Sequence, residues 1–157
     1  MAKYATNNGL GGTLQAITST YKSLLSHTGG ATLPRRAKLY DVMFGTLGTP
    51  ADQTYEFDIS RITATGTSTA VTPNPTDPAD AAAVSLSAAN YTAEGTVTAA
   101  SSEFYLGINQ RASYRWVAAP GSEILAPATS AAGLVIRTRS ASGGTATATS
   151  AFLFEEQ

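Results

Sequence analysis

The sequence predicts an all-β protein, a sandwich or a jelly roll, built as one domain. Its length of 157 residues suits a single domain. Short segments rich in β-branched and aromatic residues recur along the chain, and several alternate apolar with polar residues. Turns rich in Gly, Pro and Ser separate these segments, and no stretch has a convincing long helical period. Short strands joined by such turns are typical of sandwiches, jelly rolls and barrels.

The first twelve residues predict a flexible N-terminal arm in front of a β domain that spans residues 13–157. The arm ends in the segment from Asn7 to Gly12, whose Asn and Gly residues tolerate positive φ angles, and it shows no apolar period. Two interpretations stay open: a frayed terminus, or an arm that becomes ordered against a partner. In the second case Tyr4 and Leu10 are candidate contact residues.

The first half of the domain contains three predicted strands. Thr13–Leu25 is interpreted as a strand because it is rich in Thr, although its apolar spacing also fits a helical face. A turn is predicted at residues 27–30. Arg36–Leu47 carries apolar residues on both faces, as expected for a strand between two layers. The clean alternation from Tyr55 to Ile59 predicts a half-buried strand.

The segment Thr65–Asp80 contains three closely spaced prolines, which cannot lie inside a strand ladder. We therefore expect an ordered, exposed loop here. After it, Ala79–Ala83 is expected to form one helical turn, with Asp77 as its N-cap and Pro78 at its first position.

The second half repeats the pattern of short strands and turns. Its predicted strands are Tyr91–Thr98, Phe104–Ile108, Ala112–Val117, Glu123–Ala126, Gly133–Arg139 and Thr145–Phe154. Its predicted turns are Ala99–Ser102, Pro120-Gly121 and Ser142 to Gly144. Across the whole domain, the side chains expected to be largely buried, in the protein or its oligomer, are Tyr55, Phe57, Ile59, Trp116, Leu134 and Ile136.

The composition argues against several classes of partner. The chain has no cysteine, which excludes disulfides and thiolate metal sites. Its net charge of −1 gives no electrostatic basis for binding nucleic acid or an anionic membrane. Charged residues make up only 13%, about half the usual fraction, which suits either a surface covered by neighbours or a secreted β domain. We see no targeting segment or membrane-length apolar run, and expect synthesis in a cytoplasm with a start at or near Met1.

Residues that could support catalysis are few and scattered. His27 is the only histidine, and the Gly-x-Ser-x-Gly motif of serine hydrolases is absent. Glycosidases need two carboxylates across a cleft, but we expect each carboxylate to face solvent or pair with an arginine; the candidates are Asp41, Glu56, Asp58, Glu94, Glu103 and Glu123. Asn74, Asp77 and Asp80 could supply calcium ligands, yet the prolines between them already explain a turn. The sequence therefore predicts no enzyme, no catalytic residue, no metal and no cofactor.

Two short motifs are candidates for contact with a partner. Tyr114-Arg115-Trp116 could form a platform for a sugar or a base, although its alternation more simply predicts a strand with aromatic residues facing the core. Trp116 is the only tryptophan and is expected to anchor either the core or a subunit interface. Arg35 and Arg36 are too few for a nucleic-acid patch and form either a protein contact or the exposed lead-in to a strand.

The order of several segments resembles a family of virion proteins. The order is an alternating strand (Tyr55–Arg61), a Thr-rich segment (Thr63–Thr72), a Pro-Asn-Pro loop (Pro73–Asp80), a segment that begins Asn-Gln-Arg and ends Pro-Gly (Asn109–Gly121) and an acidic terminus (Phe154–Glu156). Over about residues 37–156 this arrangement is similar to small virion proteins of tailed bacteriophages, and among them to capsid cement or decoration proteins.

The resemblance implies a β-rich structural protein, frequently jelly-roll-like, that binds the outside of a major capsid protein shell as a homodimer or homotrimer. It implies a location on the capsid exterior after synthesis in the host cytoplasm. The contact residues that we predict for such a partner are Tyr4, Leu10, Arg35, Arg36 and Trp116. Three alternatives stay open: a tail, neck or vertex protein; a carbohydrate-binding jelly-roll module, which aligned exposed aromatic residues would favour; and, third, a hydrolase.

Overall fold

The computed structural model describes all residues 1–157 and confirms the all-β prediction, with 58% of residues in strands and 3% in helix. Twelve strands form two antiparallel sheets in a sandwich. The elements are β1 (Lys3–Asn7), a 3₁₀ turn (Asn8–Gly11), β2 (Lys22–Thr28), β3 (Ala37–Leu47), β4 (Thr54–Ala64), β5 (Thr67–Val71), β6 (Asn74–Pro75), β7 (Leu86–Ala93), β8 (Thr96–Asn109), β9 (Tyr114–Val117), β10 (Ile124–Ala126), β11 (Gly133–Ser140) and β12 (Thr147–Glu156). No helix in the structure has the length and apolar character needed to cross a membrane.

Each sheet contains six strands that are mostly remote in sequence. In the first sheet, sheet A, the strand order is β10-β3-β12-β1-β6, and β9 also pairs with the β10 side of β3. In the second, sheet B, the order is β5-β7-β2-β11-β4-β8. The chain therefore crosses between the sheets repeatedly, and the free edges of the sandwich belong to β5 and β8 in sheet B and to β6, β9 and β10 in sheet A.

The core lies between the two sheets and follows the predicted alternation. Tyr55, Phe57 and Ile59 of β4 are fully buried, as are Leu134 and Ile136 of β11, so these five predictions are confirmed. The ring of Phe57 lies 5.0 Å from that of Phe44 in sheet A, which joins the two layers of the core.

The prediction of a flexible N-terminal arm was wrong. Residues Lys3–Asn7 form a strand whose register with β12 runs from Lys3–Glu155 to Asn7–Ala151. The side chain of Asn8 then fixes the following turn, donating to the carbonyl of Ala148 (2.9 Å) and accepting from the backbone N–H of Ser150 (2.9 Å). The order of β1 comes from its pairing with β12, at the other end of the chain.

The segment before β2 also differs from its predicted strand. Between Thr13 and Tyr21 only Ala16 makes an isolated bridge, to Thr147, while Ile17 is inserted into the core. The strand begins at Lys22 and continues through His27 and Thr28, where a turn was predicted. Helix-like apolar spacing and Thr content do not distinguish a strand from an extended segment that covers the end of the core.

The proline-rich segment is less irregular than predicted. It contains β5 and the two-residue β6, in which Pro75 lies at the outer edge of sheet A, where a strand can lack an N–H donor. No helical turn forms at Ala79–Ala83; instead Asp77 accepts a hydrogen bond from the N–H of Ala79 (2.9 Å) in a tight turn. Ordering here comes from sheet pairing that local sequence does not encode.

Most second-half strands are close to their predicted positions, but the predicted strand Tyr91–Thr98 spans the end of β7, the connection and the start of β8. Residues Ala99–Ser102 lie within β8, and the connection falls instead between β7 and β8. The turns at Gly121 and Gly143 are confirmed, and both glycines adopt positive φ angles of 87° and 75°. Such angles strain residues that carry a Cβ atom, which explains glycine there.

Candidate partner-binding surfaces

The single histidine is a core residue and not a surface base. His27 points inward from β2, and its ring centroid lies 4.3 Å from that of Phe154 and 5.9 Å from that of Phe152. Neither ring nitrogen has a hydrogen-bond partner. Burial lowers the pKa of His27 to about 3, so the ring is neutral at physiological pH.

Four of the six candidate carboxylates are engaged by arginines. Arg61 pairs with Glu103, Arg115 with Asp41, Arg137 with Asp58, and Arg139 with Glu56. The other two accept backbone N–H groups: Glu94 that of Ser23, and Glu123 that of Gly121. Each carboxylate therefore has its own structural partner.

The most buried of these pairs lies on the outer face of sheet B. Asp58 accepts from Arg137 Nη2 (2.5 Å) and Nε (2.9 Å), and also from the hydroxyls of Ser60 and Ser102. The Arg137 guanidinium stacks over the Tyr21 ring, with its Cζ 4.5 Å from the ring centroid. This network holds the loop before β2 against sheet B.

Beside that network, Arg139 donates to Glu56 and also lies over the Tyr21 ring, 4.7 Å from its centroid. The hydrogen bond from Arg139 holds the pKa of Glu56 below its usual value. The pair therefore keeps its charges at neutral pH, with the Glu56 side chain only 12% exposed.

Two of the three loop residues considered as calcium ligands have other structural roles. Asn74 pairs with Ala5 at the edge of sheet A, and Asp77 caps its own turn. The structure contains no group of three or more His, Cys, Asp or Glu side chains placed to hold a metal ion.

The five predicted contact residues lie in different environments. Tyr4 is buried: its ring stacks on Phe154 at 5.4 Å, and its hydroxyl donates to the carbonyl of Ala81 (3.0 Å). Burial raises the pKa of this hydroxyl. As a core residue it cannot contact a partner, so that prediction is corrected. Leu10 is 47% exposed in the 3₁₀ turn.

Arg35 and Arg36 belong to an exposed loop, residues 31–36, that we call the basic loop. All six of its residues are exposed, including Leu33. Of the seven arginines in the sequence, these two alone have no carboxylate within salt-bridge distance. The carbonyl of Arg36 accepts a hydrogen bond from the N–H of Gln157 (2.9 Å), which ties the loop to the end of β12. The basic loop therefore presents two uncompensated positive charges beside an exposed leucine.

Trp116 lies at the mouth of the sandwich, where β8 of sheet B meets β9 of sheet A. The ring of Phe104 on β8 lies 5.8 Å from Trp116, 6.1 Å from Tyr114 and 6.0 Å from Phe44. Trp116 is partly buried in the single chain and Tyr114 is 40% exposed, so burial of Trp116 in the protein or its oligomer stays a prediction.

Further large apolar side chains lie on the strands next to this mouth, which are β3, β8, β9 and β10. We define the edge patch as Met43, Phe104, Tyr105, Tyr114, Trp116, Val117 and Leu125. Five of these residues are among the ten exposed large apolar residues of the protein. Sequence reasoning identified Trp116 but missed Phe104 and Tyr105, because only the pairing of β8 and β9 with different sheets brings the strands together.

A separate groove of about 490 Å³ lies over β2, β5 and β7 of sheet B. Hydroxyl side chains and small apolar residues line it, and none of its fifteen lining residues is charged or aromatic. It therefore lacks the aromatic platform on which a sugar ring or a base would stack.

Comparison with known proteins adds no family: no model of a known protein family matches the chain, and no curated protein matches it significantly.

Proposed function

We propose that this protein is a structural component of a tailed-bacteriophage particle, a cement or decoration protein that binds the outside of the major capsid protein shell and stabilises it. The observation that carries the proposal is the edge patch. It places half of the exposed large apolar side chains on four strands, β3, β8, β9 and β10, of a sandwich with few charges. Exposed apolar surface beyond single scattered residues is typical of proteins that work in an assembly.

The basic loop is the surface that we assign to the shell. Arg35 and Arg36 are free to pair with an acidic partner from outside the chain, because they alone of the seven arginines have no salt bridge within it. Arginine is enriched at energetically important interface positions. Leu33, 62% exposed next to these charges, adds apolar area to the same contact.

Stabilisation of the shell would follow from mass action. A protein that binds the assembled lattice and not its free subunits shifts the equilibrium towards the lattice. Repetition of one modest contact over many copies makes the total effect large. A tail, neck or vertex protein would use the same surfaces, so the number and position of the copies distinguish these roles.

A binding experiment tests the proposal. Purified protein is mixed with capsids of the encoding phage from which it has been stripped, and bound protein is measured by sedimentation at increasing concentration. We expect saturable binding at a fixed ratio to the major capsid protein, with a higher temperature of capsid disruption. Absence of saturable binding, or binding to tails alone, would contradict the capsid role.

A further inference from the structure

We infer that β8 is the contact strand of a two-fold dimer of this chain and pairs antiparallel with β8 of a second copy. The second copy then also covers the edge patch. The inference goes beyond the proposed function and does not depend on it, since the surface is a property of the isolated sandwich. Antiparallel pairing of identical edge strands is a standard way to extend a sheet across a two-fold axis.

Among the free edges of the sandwich, β8 is the one long enough for such pairing. It has fourteen residues and pairs only with β4. The other edge strands have five residues or fewer: β5 has five, β9 four, β10 three and β6 two. An unpaired edge of this length is a template for another strand unless lysine, proline or a bulge protects it.

Protection of β8 is confined to its first half. The strand contains no lysine and no proline. Its pairing with β4 shifts register opposite Ile59 to Ala64, and Ala100 adopts a φ of 54°, which marks an irregular region there. From Phe104 to Asn109 the register with β4 is continuous. The regular half of β8 is therefore the part available for pairing.

The inference places the two-fold axis at Tyr105, the one exposed large side chain of this half. The two Tyr105 side chains then face one another and Phe104 faces Leu106, so that apolar and aromatic residues meet as cross-strand pairs. Tyr105 is 57% exposed in the single chain, so its ring is available for this contact.

The charges around the edge patch favour a copy of the same chain as the partner. Arg61 pairs with Glu103 at 2.6 Å, and Arg115 pairs with Asp41 at 2.5 Å. Because each of these two arginines is neutralised by a carboxylate, neither offers a free charge to a strongly charged partner. A second copy supplies a surface of the same neutral character.

Single cysteines test the inference directly, because the chain has none of its own and any disulfide must join two copies. Cross-strand neighbours have Cα atoms about 4.5–5.5 Å apart, which a disulfide can bridge. We expect Tyr105→Cys to form covalent dimer at least tenfold faster than the control Leu86→Cys under the same oxidation. Leu86 is a suitable control because it is 53% exposed and lies on β7, away from β8.

Sedimentation equilibrium of the full-length protein supplies a second readout. We expect a monomer–dimer equilibrium that Tyr105→Lys weakens at least tenfold and Leu86→Lys leaves unchanged. A wild-type monomer at several hundred micromolar, a trimer, or equal cross-linking of the two cysteine variants would overturn the inference. A dimer that never binds capsids would contradict the proposed function and leave this inference standing.

Discussion

The His27 ring lies 4.3 Å from the Phe154 ring, at an interplanar angle of 58°, and neither of its nitrogens has a hydrogen-bond partner. The strand pairs place Leu134 and Ser87 on either side of it, and neither can carry a charge. A protonated imidazole would therefore have no counter-ion. This arrangement couples the stability of the core to pH.

We expect acid to destabilise the protein through His27. Its pKa is about 3 in the folded protein against 6.5 in the unfolded chain, so between these values the unfolded state binds more protons. Stability is therefore complete above pH 6.5 and falls as the pH falls, by about 2 kcal/mol at pH 5. Urea unfolding of wild type and His27→Leu at pH 7.5 and pH 5 measures this difference. Equal losses in the two proteins would show that His27 is not the cause.

The buried pair Asp58–Arg137 is expected to contribute far more than an exposed one. Asp58→Ala leaves Arg137, whose side chain is 18% exposed, without its counter-ion, and should cost about 3 kcal/mol or more. The control is Asp52→Ala, because Asp52 pairs with Arg111 and the two side chains are 83% and 58% exposed. We expect less than about 1 kcal/mol there. Similar losses in both variants, measured by chemical unfolding, would contradict this account of sheet B.

The N-terminal strand should be essential to the fold. Tyr4 is 2% exposed and packs on Phe154, so Tyr4→Ala is expected to cost about 3–5 kcal/mol. Removal of residues 2–7 deletes β1, which pairs with one side of β12 and with β6, and should leave a chain that does not unfold cooperatively. Circular dichroism during thermal unfolding measures both effects. A cooperative transition near the wild-type temperature after the deletion would show that β1 is dispensable.

Trp116 is expected to report on the dimer through its fluorescence. Its ring is partly exposed at the edge patch, and it is the only tryptophan in the chain. Dimerisation should exclude water from the ring and shift its emission to shorter wavelength as the protein concentration rises. The shift should be absent in Tyr105→Lys. A concentration-independent spectrum in a protein that does dimerise would place the contact elsewhere.

The basic loop is expected to determine binding to the shell and not folding. Arg35→Glu combined with Arg36→Glu should weaken capsid binding at least tenfold, because both charges would then repel an acidic surface. Unfolding should change by less than about 0.5 kcal/mol, as is usual for exposed positions. The control Arg111→Glu changes an exposed arginine that already has a partner, Asp52. Equal binding by the two variants would remove the basic loop from the interface.

Elements with strong local patterns could be predicted from the sequence, whereas elements ordered by remote partners could not. The alternation around Phe57 and Ile136 correctly identified strands whose apolar side chains face the core. By contrast, β1 is ordered by β12 at the other end of the chain, and nothing within its five residues indicates that pairing.

The candidate surfaces show the same limit. The sequence shows Arg35 and Arg36 as a pair. Only the structure shows that they lack carboxylate partners while the other five arginines form salt bridges. Trp116 was singled out by its rarity, yet its position at the mouth of the sandwich depends on Phe104 from the other sheet. Surface chemistry of this kind is set by tertiary structure.

Imaging of intact particles by electron cryomicroscopy tests the central claim most directly. We expect the sandwich to fit density on the outer face of the capsid at symmetry-related positions, with the basic loop towards the shell and β8 paired across a local two-fold axis. Density for the protein only in the tail or neck, or its absence from the particle, would contradict the account.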